Sequence, residues 1–255
     1  MPPSGDPERT VRTVTVRGLD FRVHEAGPVR AHQVFVLVHG IGMSHRYLRR
    51  LQVSLATDAL VLTLDLPGFG SSPRPKRPIS IPEMATALGQ LLGMLLPSRA
   101  VLVGHSMGTQ WITELSILEP ALVSGAVLIG PVTDRRRRAL SAHLLRLAAD
   151  CTREPADANA LIFGDYLRCG LVWYLRQARA MIAYPLEDRL ADVSVPVLVA
   201  RGARDPIAPH DWCLLLAARA VSGRLLTIPH HSHAVQHTAA PALAGALRAF
   251  ADAAL

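Results

Sequence analysis

The chemistry of this chain starts at Ser106, which sits in the pentapeptide Gly104-His105-Ser106-Met107-Gly108. Residues 100–103, Ala-Val-Leu-Val, form a short apolar run with the character of a buried strand. After the pentapeptide, Ile112, Leu115, Ile117 and Leu118 recur at close to helical spacing. A strand, one sharp turn and a helix therefore meet at the serine. The flanking glycines have a steric reason. The tip residue is held in a strained conformation, and only residues without a Cβ let strand and helix pass so closely. Such a turn exposes Oγ, and the helix N-terminus behind it offers N–H groups and the positive end of a dipole. A serine in that place is suited to nucleophilic attack.

This G-x-S-x-G pattern resembles the nucleophile elbow of the α/β-hydrolase superfamily. The resemblance implies an α/β fold, with a doubly wound, mostly parallel sheet and a helical cap insertion. The apolar run 34–38 leads into His39-Gly40-Ile41-Gly42, similar to the family loop that supplies half of the oxyanion hole. The implied donors are the backbone N–H groups of Ile41 and Met107, which would stabilise a tetrahedral alkoxide as it forms. The His39 side chain is read as structural. Asp65-Leu66-Pro67-Gly68-Phe69-Gly70-Ser71-Ser72 is similar to a second family loop, in which Asp65 is expected to fix the turn by hydrogen bonds.

The acid and the base follow from the same resemblance. Gly202-Ala203-Arg204-Asp205-Pro206-Ile207-Ala208-Pro209, after the apolar run 195–200, matches the loop where the family places its triad acid. Asp205 would then hold the histidine tautomer and stabilise the imidazolium. The order nucleophile, acid, histidine puts the base in residues 229–237, where His230, His231, His233 and His237 compete. The spacing to Pro241 favours His233, although Ser232 stands where glycine is usual; His231 is the alternative. Asp211 competes with Asp205 but is expected inside the next helix.

These groups need a frame. Residues 11–17 alternate apolar with polar and 19–25 run back as a hairpin partner, while 34–38, 60–64 and 126–129 are continuously apolar, as buried parallel strands are. A last strand is expected over 225–228, and helices over 44–57, with Ser44 as cap, and 81–96. Strands alternating with helices argue for a parallel sheet with right-handed crossovers. The alternation stops over 132–190, which carries only amphipathic helical stretches, at 139–149, 156–168 and 172–183. The expected division is therefore a core in two parts, 1–131 and 191–255, around a helical cap at 132–190. Trp173, Tyr174, Met181 and Tyr184 cluster in the cap as candidate substrate-binding residues, with helix packing as the other reading.

Bulk composition narrows the class. The chain has 255 residues, half of them hydrophobic, ample for a sizeable core. No apolar run reaches the ~18 residues of a membrane span. Residues 1–10 are polar and Pro-rich, unlike a signal peptide, so a cytoplasmic protein is expected. Cys151, Cys169 and Cys213 form no CxxC pair and are read as free thiols rather than disulfide or zinc ligands. The net charge of +7 is carried almost wholly by arginine, Lys76 being the only lysine. The run Arg135 to Arg138 lacks interleaved aromatic residues and reads as a solvated face rather than a nucleic-acid site. No metal and no cofactor is expected, and the partner is a small-molecule substrate.

The implied reaction is two-step acyl transfer through an acyl-enzyme on Ser106. Serine at this position sets aside the dehalogenases and epoxide hydrolases of the fold, which attack with aspartate. A carboxylic ester of a small to medium, largely apolar substrate needs the least further machinery. Lactone hydrolysis and C–C bond hydrolysis of a carboxylate-bearing substrate are the alternatives, as is a non-catalytic small-molecule receptor of the same fold.

Overall fold

The computed structural model describes residues 10–134 and 139–254. The run Arg135 to Arg138 and most of the N-terminal decapeptide lie outside the described residues. Eight strands form one sheet: β1 (Thr10–Val16), β2 (Leu19–Ala26), β3 (Val34–Val38), β4 (Leu60–Asp65), β5 (Ala100–His105), β6 (Val123–Ile129), β7 (Val197–Gly202) and β8 (Gly223–Ile228). Their order is β1-β2-β4-β3-β5-β6-β7-β8. The first two strands make the hairpin expected from their alternation, with Val16 opposite Leu19. Arg17 and Gly18 both have positive φ at its tip, as a two-residue turn that matches strand twist requires. β2 runs antiparallel to β4, and all pairings from β4 onward are parallel.

Helices cover both faces. α1 (His45–Leu55) follows β3, α2 (Ile81–Leu95) follows β4, and α3 (Gly108–Leu118) follows β5. The insertion after β6 holds α4 (Leu140–Cys151), α5 (Ala156–Cys169), α6 (Leu171–Ala183) and α7 (Leu186–Arg189). α8 (His210–Arg219) joins β7 to β8, and α9 (Val235–Thr238) and α10 (Ala240–Ala254) complete the described chain. On one face Phe35, Leu37, Val101 and Val103 pack against Leu48 and Leu51 of α1 and Leu243 and Leu247 of α10. On the other, Val36, Val38 and Leu102 meet Leu88 of α2, Trp111 of α3 and Leu216 of α8. The central strands β3, β5 and β6 are buried along their whole length, which is why their sequences do not alternate. The protein thus has the α/β-hydrolase fold.

Two local expectations are corrected. β7 begins at Val197 rather than at residue 195, because Pro196 has no N–H to give the ladder and contributes only its carbonyl, to the Ala126 N–H. Ser44 stands at the start of α1, but its hydroxyl does not cap the helix; it donates to Asp165 Oδ2 of α5 at 2.6 Å.

Candidate active site

The elbow is built by close approach. Ser106 has φ of +55°, in the left-handed region, at the junction of β5 and α3. A Cβ on Gly104 would lie 2.5 Å from the Gly108 carbonyl oxygen, and one on Gly108 would lie 2.5 Å from that of Val38. Either glycine replaced would push strand and helix apart. Gly40 is held to the same rule by the serine itself, since its added Cβ would meet Ser106 Cβ at 2.8 Å. Met107 is the N-cap of α3, where backbone N–H groups lack intrahelical acceptors. Ile41 lines the same small cavity as Ser106 and His233. Ser106, Ile41 and His233 therefore meet around one cavity at the carboxyl ends of the strands, with Met107 next to the serine in sequence.

Of the four histidines in the loop after β8, His233 is the one bonded to Asp205, with Nδ1 2.8 Å from Oδ2. His231 instead contacts Thr238 Oγ1, His237 pairs with Asp157, and His230 is exposed. The other oxygen of Asp205 accepts the N–H groups of Ile207 and Ala208 at 2.7 and 3.0 Å. Those bonds give the carboxylate its orientation and leave Pro209, not Asp205, to cap α8. Asp211 lies inside α8. Arg201 braces the acid loop by donating to the Ala208 carbonyl. Gly202 lets the two loops touch: a Cβ there would lie 2.2 Å from the Ser232 carbonyl oxygen.

Electrostatics bind the pair more tightly. Burial works against the Asp205 carboxylate, but the His233 ring and the two loop N–H groups overcome it and hold its pKa below the ordinary value. Burial likewise disfavours the imidazolium of His233. The carboxylates of Asp205, Asp150 and Glu154 outweigh that penalty and raise its pKa. The last two come from α4 and the turn after it, and sequence reasoning missed both. Asp150 Oδ1 accepts the Ser232 hydroxyl at 2.5 Å and the His233 N–H at 3.1 Å, while Glu154, three residues past the end of α4, accepts the Ala234 N–H at 2.7 Å. The insertion therefore holds the backbone of the histidine loop.

His105, a wildcard position in the elbow motif, is a further brace. Its Nε2 lies 3.1 Å from the His233 carbonyl oxygen, which only accepts, so Nε2 carries the proton. Burial keeps this ring neutral. His39 is also neutral by burial; its Nδ1–H donates to the Gly40 carbonyl and its Nε2 accepts the Leu66 N–H.

Asp65 sits at the end of β4 and accepts the His45 N–H at 2.7 Å and the Ser71 hydroxyl at 3.2 Å. Against the cost of burial, its bonds to His24 and His45 hold its pKa well below the usual carboxylate range. Among the described residues, His24, His45 and Asp65 are a group able to ligate a metal. The two rings are stacked at 3.6 Å with an interplanar angle of 17°, so their nitrogen lone pairs run side by side instead of meeting at one ion. The cluster fastens a loop.

The four insertion residues expected to touch substrate lie outside the lining of this cavity. Trp173 is buried against Gly68 and Phe69 of the loop after β4. Met181 is fully buried, and its carbonyl accepts from Gln110 of α3. Tyr184 donates to Glu114 Oε2 at 2.8 Å beside Arg189. All three fasten the insertion to the core, because large side chains on its inner face meet α3 and the β4 loop before they reach the serine. Tyr174 packs edge-on against Tyr166, which does line the cavity. The cavity wall instead comes from His143, Leu147 and Asp150 of α4 and Ile162 and Tyr166 of α5.

A family model for the α/β hydrolase fold matches residues 33–156, a span that holds Ile41 and Ser106 but ends before Asp205 and His233. The chain is 30% identical over 228 residues to the dihydrolipoyllysine-residue acetyltransferase component of the acetoin cleaving system of Pseudomonas putida, covering 80% of this chain. It spans 60% of the length of that relative. It is 28% identical over 224 residues to a putative carbamate hydrolase, RutD, of Pseudomonas savastanoi pv. phaseolicola, covering 79% of this chain and 86% of the relative. Its fold overlays on an enol-lactonase from Burkholderia xenovorans LB400 with a TM-score of 0.80 at 21% identity, over 94% of this chain and 99% of the other. These matches agree with the α/β-hydrolase fold, to whose family model residues 33–156 conform. No helix among the described residues is long and apolar enough to cross a membrane.

Proposed function

We propose that the protein is a serine hydrolase that cleaves carboxylic esters of largely apolar, uncharged substrates. One observation carries this reading: Ser106, in its left-handed turn, shares a cavity with His233, whose Nδ1 is bonded to Asp205. His233 Nε2 takes the proton of the Ser106 hydroxyl as Oγ attacks the ester carbonyl. The Ile41 and Met107 N–H groups stabilise the resulting oxyanion. The protonated imidazole then gives its proton to the departing alcohol, leaving an acyl-enzyme. Water activated by His233 attacks that ester, and the carboxylic acid leaves with Ser106 restored. The helical insertion acts as a cap over this site and contributes no reacting group.

The lining also favours an uncharged substrate. Among its described residues there is no lysine or arginine, while Asp150 faces in and burial lowers the pKa of His143 to about 4. A carboxylate-bearing substrate, as the C–C hydrolase alternative needs, would meet no lysine or arginine there and would face Asp150. The relatives that act on carbamate or enol-lactone substrates widen the range of acyl compounds to be tried.

The test joins labelling to turnover. A fluorophosphonate should add once, on Ser106, and p-nitrophenyl butyrate should be hydrolysed. Ser106→Ala should abolish the adduct and lower kcat by roughly 10⁴-fold or more. His233→Ala should do nearly the same, and His231→Ala should leave most of the rate. Near-normal turnover in folded Ser106→Ala overturns the mechanism. Stoichiometric binding of esters without turnover would mark a receptor instead.

A further inference from the structure

The cavity at Ser106 has a volume of about 20 Å³, room for roughly one water molecule. On the other side of one layer of side chains lies a far larger hollow. A groove of about 460 Å³ runs between α4, α5 and α6. Its walls include Leu144, Phe163, Leu167, Leu171 and Tyr174, together with Leu147 and Tyr166, and among the described residues no charged side chain lines it. Leu147 and Tyr166 also line the cavity at Ser106, so these two residues are the partition between the two spaces. Tyr166 reaches the oxyanion loop itself: a Cβ on Gly42, next to Ile41, would lie 2.5 Å from its ring.

We propose that this groove seats a linear hydrocarbon chain of the substrate, which makes the preferred substrate a medium- to long-chain ester. The proposal rests on the hydrolytic reading above and deepens it. Its first support is that the groove and the cavity share Leu147 and Tyr166 as a common wall. The second is exposure that the fold does not need. Leu167 is 85% exposed, Leu171 72% and Phe163 58%, on two consecutive helices. Contiguous aliphatic surface of this kind marks a binding site. The third is shape, since a groove bounded by three helices and one layer of side chains away from the cavity at Ser106 suits one flexible chain with its ester at the inner end. Rotation of the Tyr166 and Leu147 side chains would join the groove to the oxyanion loop, leaving the scissile carbonyl at Ser106 and the chain along α5.

The experiment measures kcat/KM for p-nitrophenyl acetate, butyrate, hexanoate, octanoate and decanoate below their micellar concentrations. The unaltered protein should gain up to about fourfold per added methylene, equivalent to about 0.8 kcal/mol, over part of the series. In Leu167→Asp/Leu171→Asp the ratio of decanoate to acetate kcat/KM should fall by about tenfold or more. Both positions are strongly exposed, so the fold should tolerate the change; Leu167→Ser gives a milder version, and melting curves check both. A flat chain-length profile, or a ratio untouched by the double variant, overturns the proposal. So does a dimer that sedimentation detects in the unaltered protein and that the double variant dissociates, since the occupant would then be a second copy. Failure of the hydrolytic reading has a different signature, with no ester of any length turned over. In that case fluorescence of a dansyl-labelled undecanoic acid decides the groove. Binding lost in the double variant supports it, and no binding overturns it.

Discussion

In the proposed mechanism Ser106 and His233 act beside a surplus of negative charge. Three carboxylates, Asp205, Asp150 and Glu154, face the imidazole from the loop after β7 and from the insertion. A general base must be neutral to act, so activity should rise with pH through the raised pKa of His233, on a limb above the ordinary histidine value of 6.5. Asp150→Asn keeps an acceptor oxygen for the Ser232 hydroxyl and the His233 N–H but removes a charge that favours the imidazolium. The limb should therefore move to lower pH, by roughly half a unit or more. A pH–rate profile of kcat/KM on a short ester measures this, and a limb that stays or moves upward would show that Asp150 acts through structure alone. The contrast between the two acids also explains what could be read beforehand. Ser106, Asp205 and His233 each follow a strand within a short motif whose glycines and prolines record a tight turn. Asp150 meets His233 across 83 residues of chain, and nothing in its own neighbourhood reports that contact.

At the scale of the element, α4 is the unusual helix. Its apolar spacing foretold an amphipathic helix, yet Asp150 is its one buried residue, and Leu144 and Leu145 lie exposed. Hydrogen bonds accepted by carboxylates, rather than apolar packing, fasten it and the turn after it to the histidine loop. Periodicity gives the existence of such a helix but not which stripe faces inward, because an exposed binding groove and a buried core are written in the same residues. Trp173 and Tyr184 show the converse: these aromatic residues are buried against the core, and no local signal in the sequence separates that placement from a pocket wall. The fastening should respond to pH. Glu154 is pushed from 4.5 up to about 7, first by burial and then by Asp150 and Asp205, despite its bond from the Ala234 N–H. The folded state therefore holds a proton that the unfolded chain releases between those values, and this contribution to stability declines as pH rises from 4.5 through 7. Glu154→Gln keeps the acceptor and removes the titration. Its Tm relative to the unaltered protein should thus be higher at pH values above that window than below it. An equal Tm difference on both sides would mean that Glu154 ionises normally in the fold.

Across the whole molecule, the sheet and the insertion divide two tasks. The order β1-β2-β4-β3-β5-β6-β7-β8 brings the loops that carry Ser106, Asp205 and His233 to one end of the sheet, each at the carboxyl end of a parallel strand. That much was legible, because buried strands are continuous apolar runs and each is punctuated by its motif loop. The closure of the site was not, since it depends on how helices far apart in sequence lean together. A cavity of about 20 Å³ admits no ester until something moves. The sheet is not free to do so: β3, β5 and β6 are buried throughout, and a shift in any of them would open both cores. α4 is free to do so, since it contributes three cavity walls and buries only Asp150, whereas α6 buries five residues including Trp173 and Met181. Segments with few buried apolar contacts open at the lowest free energy. Amide hydrogen exchange followed by mass spectrometry should therefore find 140–151 exchanging well before 100–105 and before 171–183. Asp150→Ala should hasten α4 without changing the strand peptides. A phosphonate bearing a decyl chain, once attached to Ser106, should slow α4 by filling the space it closes over. Protection of α4 equal to that of β5 in the free protein would place the opening motion in some other element and remove α4 as the door to the site.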